Sequence, residues 1–198
     1  MGMDKKATHV VYLSLGTNLG RKEENIRRAI RMIDERIGSV AAQSALYHSE
    51  PWGFQSENLF VNAAICCRTT LSPHELLHAT QQIEREMGRR HKSTDGQYHD
   101  RIIDIDILYY DSLTLHTPSL TIPHPHISER AFVLAPLAEI APGHIDPVSG
   151  LTAAQMLAAL EAKGGALEAK GRAPEVYGRS VEIKGGSVGT KRGAVGTK

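Results

Sequence analysis

Cysteine is nearly absent from this chain: the only two, Cys66 and Cys67, are adjacent. Neighbours on a strand point to opposite faces, so the pair is poorly placed for a mutual disulfide and gives little support for metal ligation. Buried, reduced thiols in a cytoplasmic protein are the expectation. Long apolar runs are also missing. None approaches the ~18–20 residues that cross a bilayer, so no membrane association is expected. The first residues, Met1-Gly2-Met3-Asp4-Lys5-Lys6, lack the apolar core of a secretory signal. Nor is there a strong charge excess. A formal net charge of +1 gives no general argument for a nucleic-acid partner.

A chain of 198 residues suffices for one filled core, or for one domain and a tail. The composition favours the second arrangement. Nine of the 18 glycines fall within residues 164–198, and Val-Gly-Thr-Lys occurs there twice, at 188–191 and 195–198. Those residues carry seven Lys or Arg against three Asp or Glu, a net of +4, which leaves −3 on residues 1–163. Gly-rich sequence buries too little apolar area to offset its chain entropy, so residues 185–198 are expected to be flexible. Val176-Tyr177 and Val181-Glu182-Ile183 allow a short edge strand.

The stretch Arg101-Ile102-Ile103-Asp104-Ile105-Asp106-Ile107-Leu108-Tyr109-Tyr110 reads as a strand. Alternation places Ile103, Ile105 and Ile107 on a core face and Asp104 with Asp106 on the other. Two carboxylates about 7 Å apart on one face repel unless cations lie between them. Two readings stay open at this point: a divalent-metal seat, or the solvated face of an ordinary strand.

From the start, Val10 to Leu15 reads as a strand running into the turn-forming Gly16-Thr17-Asn18-Leu19-Gly20. The turn lacks both the Gly-Lys-Ser/Thr ending of a P-loop and GxGxxG spacing, so a tight structural turn is expected. Ile26, Ala29, Ile30, Ile33 and Ile37 recur at helical spacing up to Gly38. Val40 to Tyr47 reads as a second strand and Leu59 to Arg68 as a third, separated by a Pro/Gly loop holding the only tryptophan, Trp52. Phe60 and Asn62 share a strand face. An aromatic surface beside an amide suits a flat, hydrogen-bonding heterocycle, and a core Phe beside a loop-satisfied Asn fits the same pattern. Ser72-Pro73-His74-Glu75 is a capping box that opens a helix with Leu76, Ala79, Ile83 and Met87 as its apolar stripe, stopped at Gly88. A basic loop from Arg89 to Arg101 follows. Leu113 to Leu115 is a candidate hairpin partner, and Leu120-Thr121-Ile122-Pro123-His124-Pro125-His126 is extended. Ser128 to Ile140 is expected to be helical with a break at Pro136, and Leu151 to Lys163 to form a last helix. The order strand-helix-strand, twice, predicts an α+β ferredoxin-like sandwich over 7–163, an antiparallel sheet with its helices on one face, followed by the 164–198 extension.

Five segments together carry a resemblance: Ser14-Leu15-Gly16-Thr17-Asn18-Leu19-Gly20, Phe60-Val61-Asn62-Ala63-Ala64, Ile83-Glu84 with Gly88-Arg89, Arg101 to Ile107, and Ile122-Pro123-His124-Pro125-His126 with Arg130-Ala131-Phe132. In this order and spacing the chain resembles the 6-hydroxymethyl-7,8-dihydropterin pyrophosphokinases over residues 9 to about 145. The resemblance implies a monomeric enzyme of folate synthesis that uses two Mg²⁺ ions and moves pyrophosphate from ATP to the pterin hydroxymethyl group, releasing AMP. It implies Asp104 and Asp106 as metal ligands, and Arg89 and Arg101 as phosphate-clamping catalytic residues. Gln81, Glu84, Ile107, Thr121, His124 and Arg130 match ATP-contacting positions. Phe60 and Phe132 match the two aromatics that sandwich the pterin, Asn62 the amide that reads its edge, and Ser49 and Trp52 the loop that completes the pocket. The chain departs from some members by Tyr98 in place of Trp, His99-Asp100 in place of Gly-Pro, and Ser119 in place of Arg; Tyr98, His91 and Lys92 are candidate replacements. A ferredoxin-like nucleic-acid module is a poorer fit, because two acids on the central strand repel a phosphate backbone. Another Mg²⁺ phosphotransferase would share the Asp pair but not the Phe60, Asn62 and Phe132 pocket.

Deleting residues 185–198 is expected to leave turnover unchanged; a large fall in steady-state rate would place the tail at the site.

Overall fold

The computed structural model describes residues 7–53, 55–88 and 99–163. Arg89, His91, Lys92, Tyr98 and the 164–198 extension, all named above, lie outside them. Five strands form the main sheet: β1 (His9–Thr17), β2 (Gly38–Gln43), β3 (Tyr47–Ser49), β4 (Phe60–Thr69) and β5 (Asp104–Tyr110). Two more, β6 (Leu115–His116) and β7 (Thr121–Ile122), make a small hairpin. The helices are α1 (Lys22–Arg36), α2 (Pro73–Glu86), α3 (Ala131–Ile140) and α4 (Ala153–Ala162). The sheet order is β2-β4-β1-β5, all antiparallel, with β3 also on β4. The two central strands therefore come from different strand-helix-strand units, which is the ferredoxin-like interleaving anticipated above.

Side-chain alternation divides the protein into two cores. On one face, Val11, Leu13 and Leu15 of β1, Val61, Ala63, Ile65 and Cys67 of β4, and Ile105 and Ile107 of β5 pack with α1 and α2. The α1 stripe is Ile26, Ala29, Met32 and Ile33. At α2 the expected capping box is present: the Ser72 hydroxyl accepts from Glu75 N and the Glu75 carboxylate accepts from Ser72 N. Such a cap is worth about 1 kcal/mol. Gly88 ends the segment at φ +105°, where a side chain is disfavoured.

The expectation that helices lie on one face is corrected. Ala64, Leu108 and Tyr109 on the opposite face pack with Val133, Leu134 and Leu137 of α3 and Ala153 and Met156 of α4. Apolar residues on both faces of β4 require a cover on each side. Cys66 and Cys67 are free and point to opposite faces, and burial pushes the Cys67 thiol up to about 12.

Four boundaries also differ. The 40–47 strand is split, because Ser44 turns inward: its hydroxyl accepts from Ala64 N, and Glu139 from α3 accepts from Ala45 N. Strand β5 starts at Asp104, since Arg101 N and O are both taken by the Asn18 loop. The interruption before α3 falls at Arg130, in extended backbone after a 3₁₀ turn, whereas Pro136 lies within a continuous helix. Its ring is buried, and a proline forfeits only one helical hydrogen bond. Helix α4 begins at Ala153, after a second capping box between Thr152 and Gln155.

Register along β5 holds a further surprise. Leu13 faces Ile107 but Tyr12 faces Tyr109, so Leu108 is an extra residue in a bulge. Simple alternation puts Tyr109 with the isoleucines; instead Leu108 and Tyr109 both enter the second core and Tyr110 enters the first. There the Tyr109 hydroxyl donates to Asp146 at 2.9 Å, and the His144 ring lies 4.3 Å from Tyr109 and 4.8 Å from Tyr12.

Two stability predictions follow from this packing. A methyl at Gly38 (φ +157°) runs into the Arg68 carbonyl of the paired strand. Gly38→Ala is therefore expected to cost about 3 kcal/mol in urea unfolding, the upper range for overpacking. His144 has no hydrogen-bond partner for its buried Nε2. Burial pushes its pKa down, against a smaller opposing pull from Asp146. Its neutral form thus contributes stability above the ordinary pKa of about 6.5, lost as pH falls toward the lowered value. The melting temperature should drop from pH 7 to pH 5, and drop less in His144→Phe; an equal fall in both would refute the assignment.

Candidate active site

Among the described residues, the second face of the sheet is only half covered. Helices α3 and α4 shield the end bearing Tyr12, Ala64, Leu108 and Tyr109. At the other end lies a shallow cleft, open to solvent, between the sheet and the loop carrying Glu50 and Trp52. Its floor is set by register. Gly16 of β1 lies between Asn62 of β4 and Asp104 of β5, and Ser14 lies between Ala64 and Asp106. Directly opposed residues stand about 5 Å apart, so the Asn62 amide and the Asp pair flank a shallow gap above Gly16.

The absence of a side chain at Gly16 matters to that gap. A Cβ there would approach Asn62 Oδ1 to 3.2 Å and the Phe60 ring to 3.9 Å. Asn62 is 3% exposed and its orientation is fixed. Its Nδ2 donates to Ser49 Oγ at 3.0 Å and to Tyr47 O at 3.3 Å, which leaves Oδ1 toward Gly16. Strand β3 is thus the holder of the amide.

Among the described residues, two arginines enter the cleft. Arg101 pairs with Asp104, and its guanidinium lies 5.6 Å from the centre of the Phe60 ring. Arg130 is 7% exposed, with its guanidinium 4.4 Å from the Trp52 ring centre and 5.9 Å from that of Phe132. Cation–π contact of this kind stabilises a desolvated charge. The extended backbone at Arg130, between the 3₁₀ turn and α3, sets Arg130 and Phe132 on the same wall.

The structure brings together Ser49, Trp52, Phe60, Asn62, Arg101, Asp104, Asp106, Arg130 and Phe132. The other candidates among the described residues do not line this cleft. Ile107 is buried in the first core. Glu84 is 5% exposed and reaches from α2 to accept from Ile105 N at 2.8 Å, so it braces the strand between the two aspartates. Gln81 is half-buried on the same helix, and Thr121 shares a 3.1 Å hydrogen bond with His116. His124 is anchored by its N–H to Leu108 O. Its Nδ1 accepts from His126 N, so the neutral ring carries its proton on Nε2. Burial, with Arg130 and His126 adding to it, holds the His124 pKa down at about 4, despite Asp104; the ring is a neutral donor at pH 7.

Among the described residues, no group of three or more His, Cys, Asp or Glu is assembled for a metal. A carboxylate pair alone is the donor set of a hard ion that completes its shell with water and phosphate oxygens. Asp104 and Asp106 therefore fit Mg²⁺ better than Zn²⁺.

Residues 12–142 match the family model for 7,8-dihydro-6-hydroxymethylpterin-pyrophosphokinase, HPPK. The chain belongs to the HPPK family. A 2-amino-4-hydroxy-6-hydroxymethyldihydropteridine pyrophosphokinase of Porphyromonas gingivalis is 46% identical over 134 residues, 67% of this chain and 91% of that protein. The Bacillus subtilis protein of the same name is 38% identical, over 67% of this chain and 78% of its own length. Among solved structures, wild-type Plasmodium falciparum HPPK-DHPS with pteroate has the same fold, with a TM-score of 0.66 at 16% identity. That match covers 81% of this chain and 46% of the longer protein.

Sequence reasoning missed three cleft residues of this HPPK family member: Ser14, Gly16 and Glu50. The Gly16-Thr17-Asn18-Leu19-Gly20 pattern predicts Gly16 in the turn, whereas it lies within β1. Ser14 and Gly16 are small residues alternating with the apolar Leu13 and Leu15, and that alternation is a readable sign of a floor left open for a ligand. Glu50 carries no comparable signal.

Proposed function

We propose that the cleft transfers pyrophosphate from ATP to the hydroxymethyl group of 6-hydroxymethyl-7,8-dihydropterin, in folate biosynthesis, in a monomer working in the cytoplasm. The observation that carries this reading is the meeting, in one cleft, of an aromatic-amide wall and a wall of carboxylates and guanidinium groups. Phe60 and Phe132 supply ring faces for a flat heterocycle, which prefers stacked contact at low entropic cost. Asn62, locked by Ser49 and Tyr47, presents its carbonyl oxygen to the N–H edge of the pterin. A free-swinging amide would lose discrimination between N–H and C=O edges; a locked one keeps it.

The phosphate side is formed by Asp104, Asp106, Arg101 and Arg130. Asp104 and Asp106 would hold two Mg²⁺ ions, which when bound would neutralise phosphate charge and acidify the attacking hydroxyl. Arg101 exchanges its pairing with Asp104 for phosphate oxygens and stabilises charge at the β-phosphorus as the pterin oxygen attacks. The bond from the β-phosphorus to the oxygen bridging to the α-phosphate breaks, AMP leaves, and the hydroxyl proton passes to solvent. Arg89 joins this clamp from the basic loop. Arg130 orients the nucleotide, and the neutral His124 donates from Nε2. Gln81, Glu84, Ile107 and Thr121 support the nucleotide side from outside the cleft lining, Glu84 through the Ile105 backbone that it fixes.

Incubation with ATP, Mg²⁺ and the hydroxymethyl pterin should yield AMP in step with pterin diphosphate. ADP as the nucleotide product would sink the proposal. Asp104→Ala and Asp106→Ala should each lower kcat by about 10³-fold or more, on the scale of losing a key charge-stabilising group. Steady-state AMP release measures this, and retention of near wild-type kcat would remove the metal role.

A further inference from the structure

We propose that Asp100, a solvent-facing residue outside the cleft, is a positioning residue that clips three segments together and thereby holds Arg101 in place. Its two carboxylate oxygens have separate partners. Oδ1 accepts from Asn18 Nδ2 at 2.6 Å, and Oδ2 accepts from Asn58 Nδ2 at 2.8 Å. Asn18 belongs to the turn after β1, and Asn58 to the segment that leads into β4 at Phe60. Asp100 itself immediately precedes Arg101.

Asn18 passes the constraint on. It is 1% exposed, and it clasps Arg101 by both backbone groups. Its Oδ1 accepts from Arg101 N at 2.8 Å, while its own N–H donates to Arg101 O at 3.1 Å. Thr17 Oγ1 adds a long contact of 3.5 Å to the same carbonyl. The Asn18 amide can turn over by rotation of its χ2; Asp100 is the main control on which way it faces, because only the NH₂ end suits a carboxylate, and a long 3.5 Å contact to Asn58 O favours the same orientation. With that end held, the carbonyl end meets Arg101 N–H. The backbone of Arg101 is thus fixed 83 residues away from its partner in sequence. From that anchor its guanidinium reaches both Asp104 and the Phe60 ring.

The chemistry calls for an aspartate. Two NH₂ donors approach, and a carboxylate is acceptor at both oxygens, whereas an amide offers only one acceptor and turns a donor toward the other partner. Charge also strengthens both bonds. Burial disfavours the ionised form, but the Ser56, Asn58 and Asn18 side chains and the Arg101 charge outweigh it, so the carboxyl lies below its ordinary range. The clip stays charged at neutral pH. It also joins the phosphate side of the cleft, at Arg101, to the aromatic side, at Phe60.

The inference rests on the reading of Arg101 as a phosphate clamp, and its test uses an amide swap in the full-length chain. Asp100→Asn sets a donor against a donor. Asn18→Asp sets a carboxylate against a carboxylate. The double variant N18D/D100N restores the three bonds of the clip: Asp at 18 accepts from Arg101 N and from the new amide, whose oxygen accepts from Asn58; only the long 3.5 Å contact from Asn18 Nδ2 to Asn58 O is lost. Misplacement of a catalytic group by a fraction of an ångström lowers turnover steeply, so Asp100→Asn is expected to lower kcat about tenfold with both KM values within about threefold of wild type. Hydrogen exchange at the Arg101 amide should quicken about tenfold in the same variant, because the bond to Asn18 Oδ1 is loosened. The double variant should return both readings to within about threefold of wild type, and Asp100→Asn should add less than about twofold in an Arg101→Ala background, as for residues that act through one group. Wild-type kcat together with wild-type exchange in Asp100→Asn, or a double variant no better than Asn18→Asp, would overturn the clip. If the wild-type protein forms no AMP, the function is wrong, and the exchange of the Arg101 amide in the single and double variants still decides the clip.

Discussion

The pleat of the three strands β4, β1 and β5 is the constraint on which everything else depends. One face of these strands is aliphatic and packs on α1 and α2. A register slip of one residue would exchange the faces, burying Asp104 and Asp106 and exposing the isoleucines. The apolar core therefore does more than stabilise the fold. It determines that Asn62, Gly16 and Asp104 form one row across the sheet, with Ser14 and Asp106 in the next. Site geometry and core packing are two sides of one register.

The second face shows how a cleft arises from incomplete cover. Helices α3 and α4 shield the end with Tyr109 and Leu108 and stop short of the end with Gly16. The β5 bulge marks the transition. Before it the face carries carboxylates; after it two consecutive residues, Leu108 and Tyr109, turn into the second core. A single inserted residue thus separates a polar reaction surface from a packed interior. At the uncovered end the charges are held within the protein: Arg101 against Asp104, Arg130 between aromatic rings. These contacts keep both guanidinium groups at the cleft wall, where charge in a desolvated setting acts more strongly than in water.

Much of this was legible because it is encoded by short-range periodicity. The Asp104 and Asp106 pair, the Phe60 and Asn62 pair, and the α2 capping box each lie within a few consecutive residues, and their meaning follows from a period of two or from a cap motif. Other features were hidden for a common reason. Ser44 turning inward, Leu108 bulging, and Asp100 bridging Asn18 and Asn58 all depend on partners dozens of residues away. The helix break was expected at Pro136 because a local rule says so; it lies at Arg130, where the chain enters the cleft wall.

By itself, the sequence determined the interleaved α+β fold, the apolar face of each central strand, and the residue types that suit a pterin and a polyphosphate. Those depend on alternation, helical spacing and side-chain chemistry, all local properties. Tertiary structure alone decided that helices cover both faces, that Gly16 is a floor rather than a turn, and that Glu84 braces the Ile105 backbone. It also decided which arginine faces which aromatic ring. Such outcomes are set by hydrogen bonds and packing between distant segments, and no single stretch of sequence contains both partners.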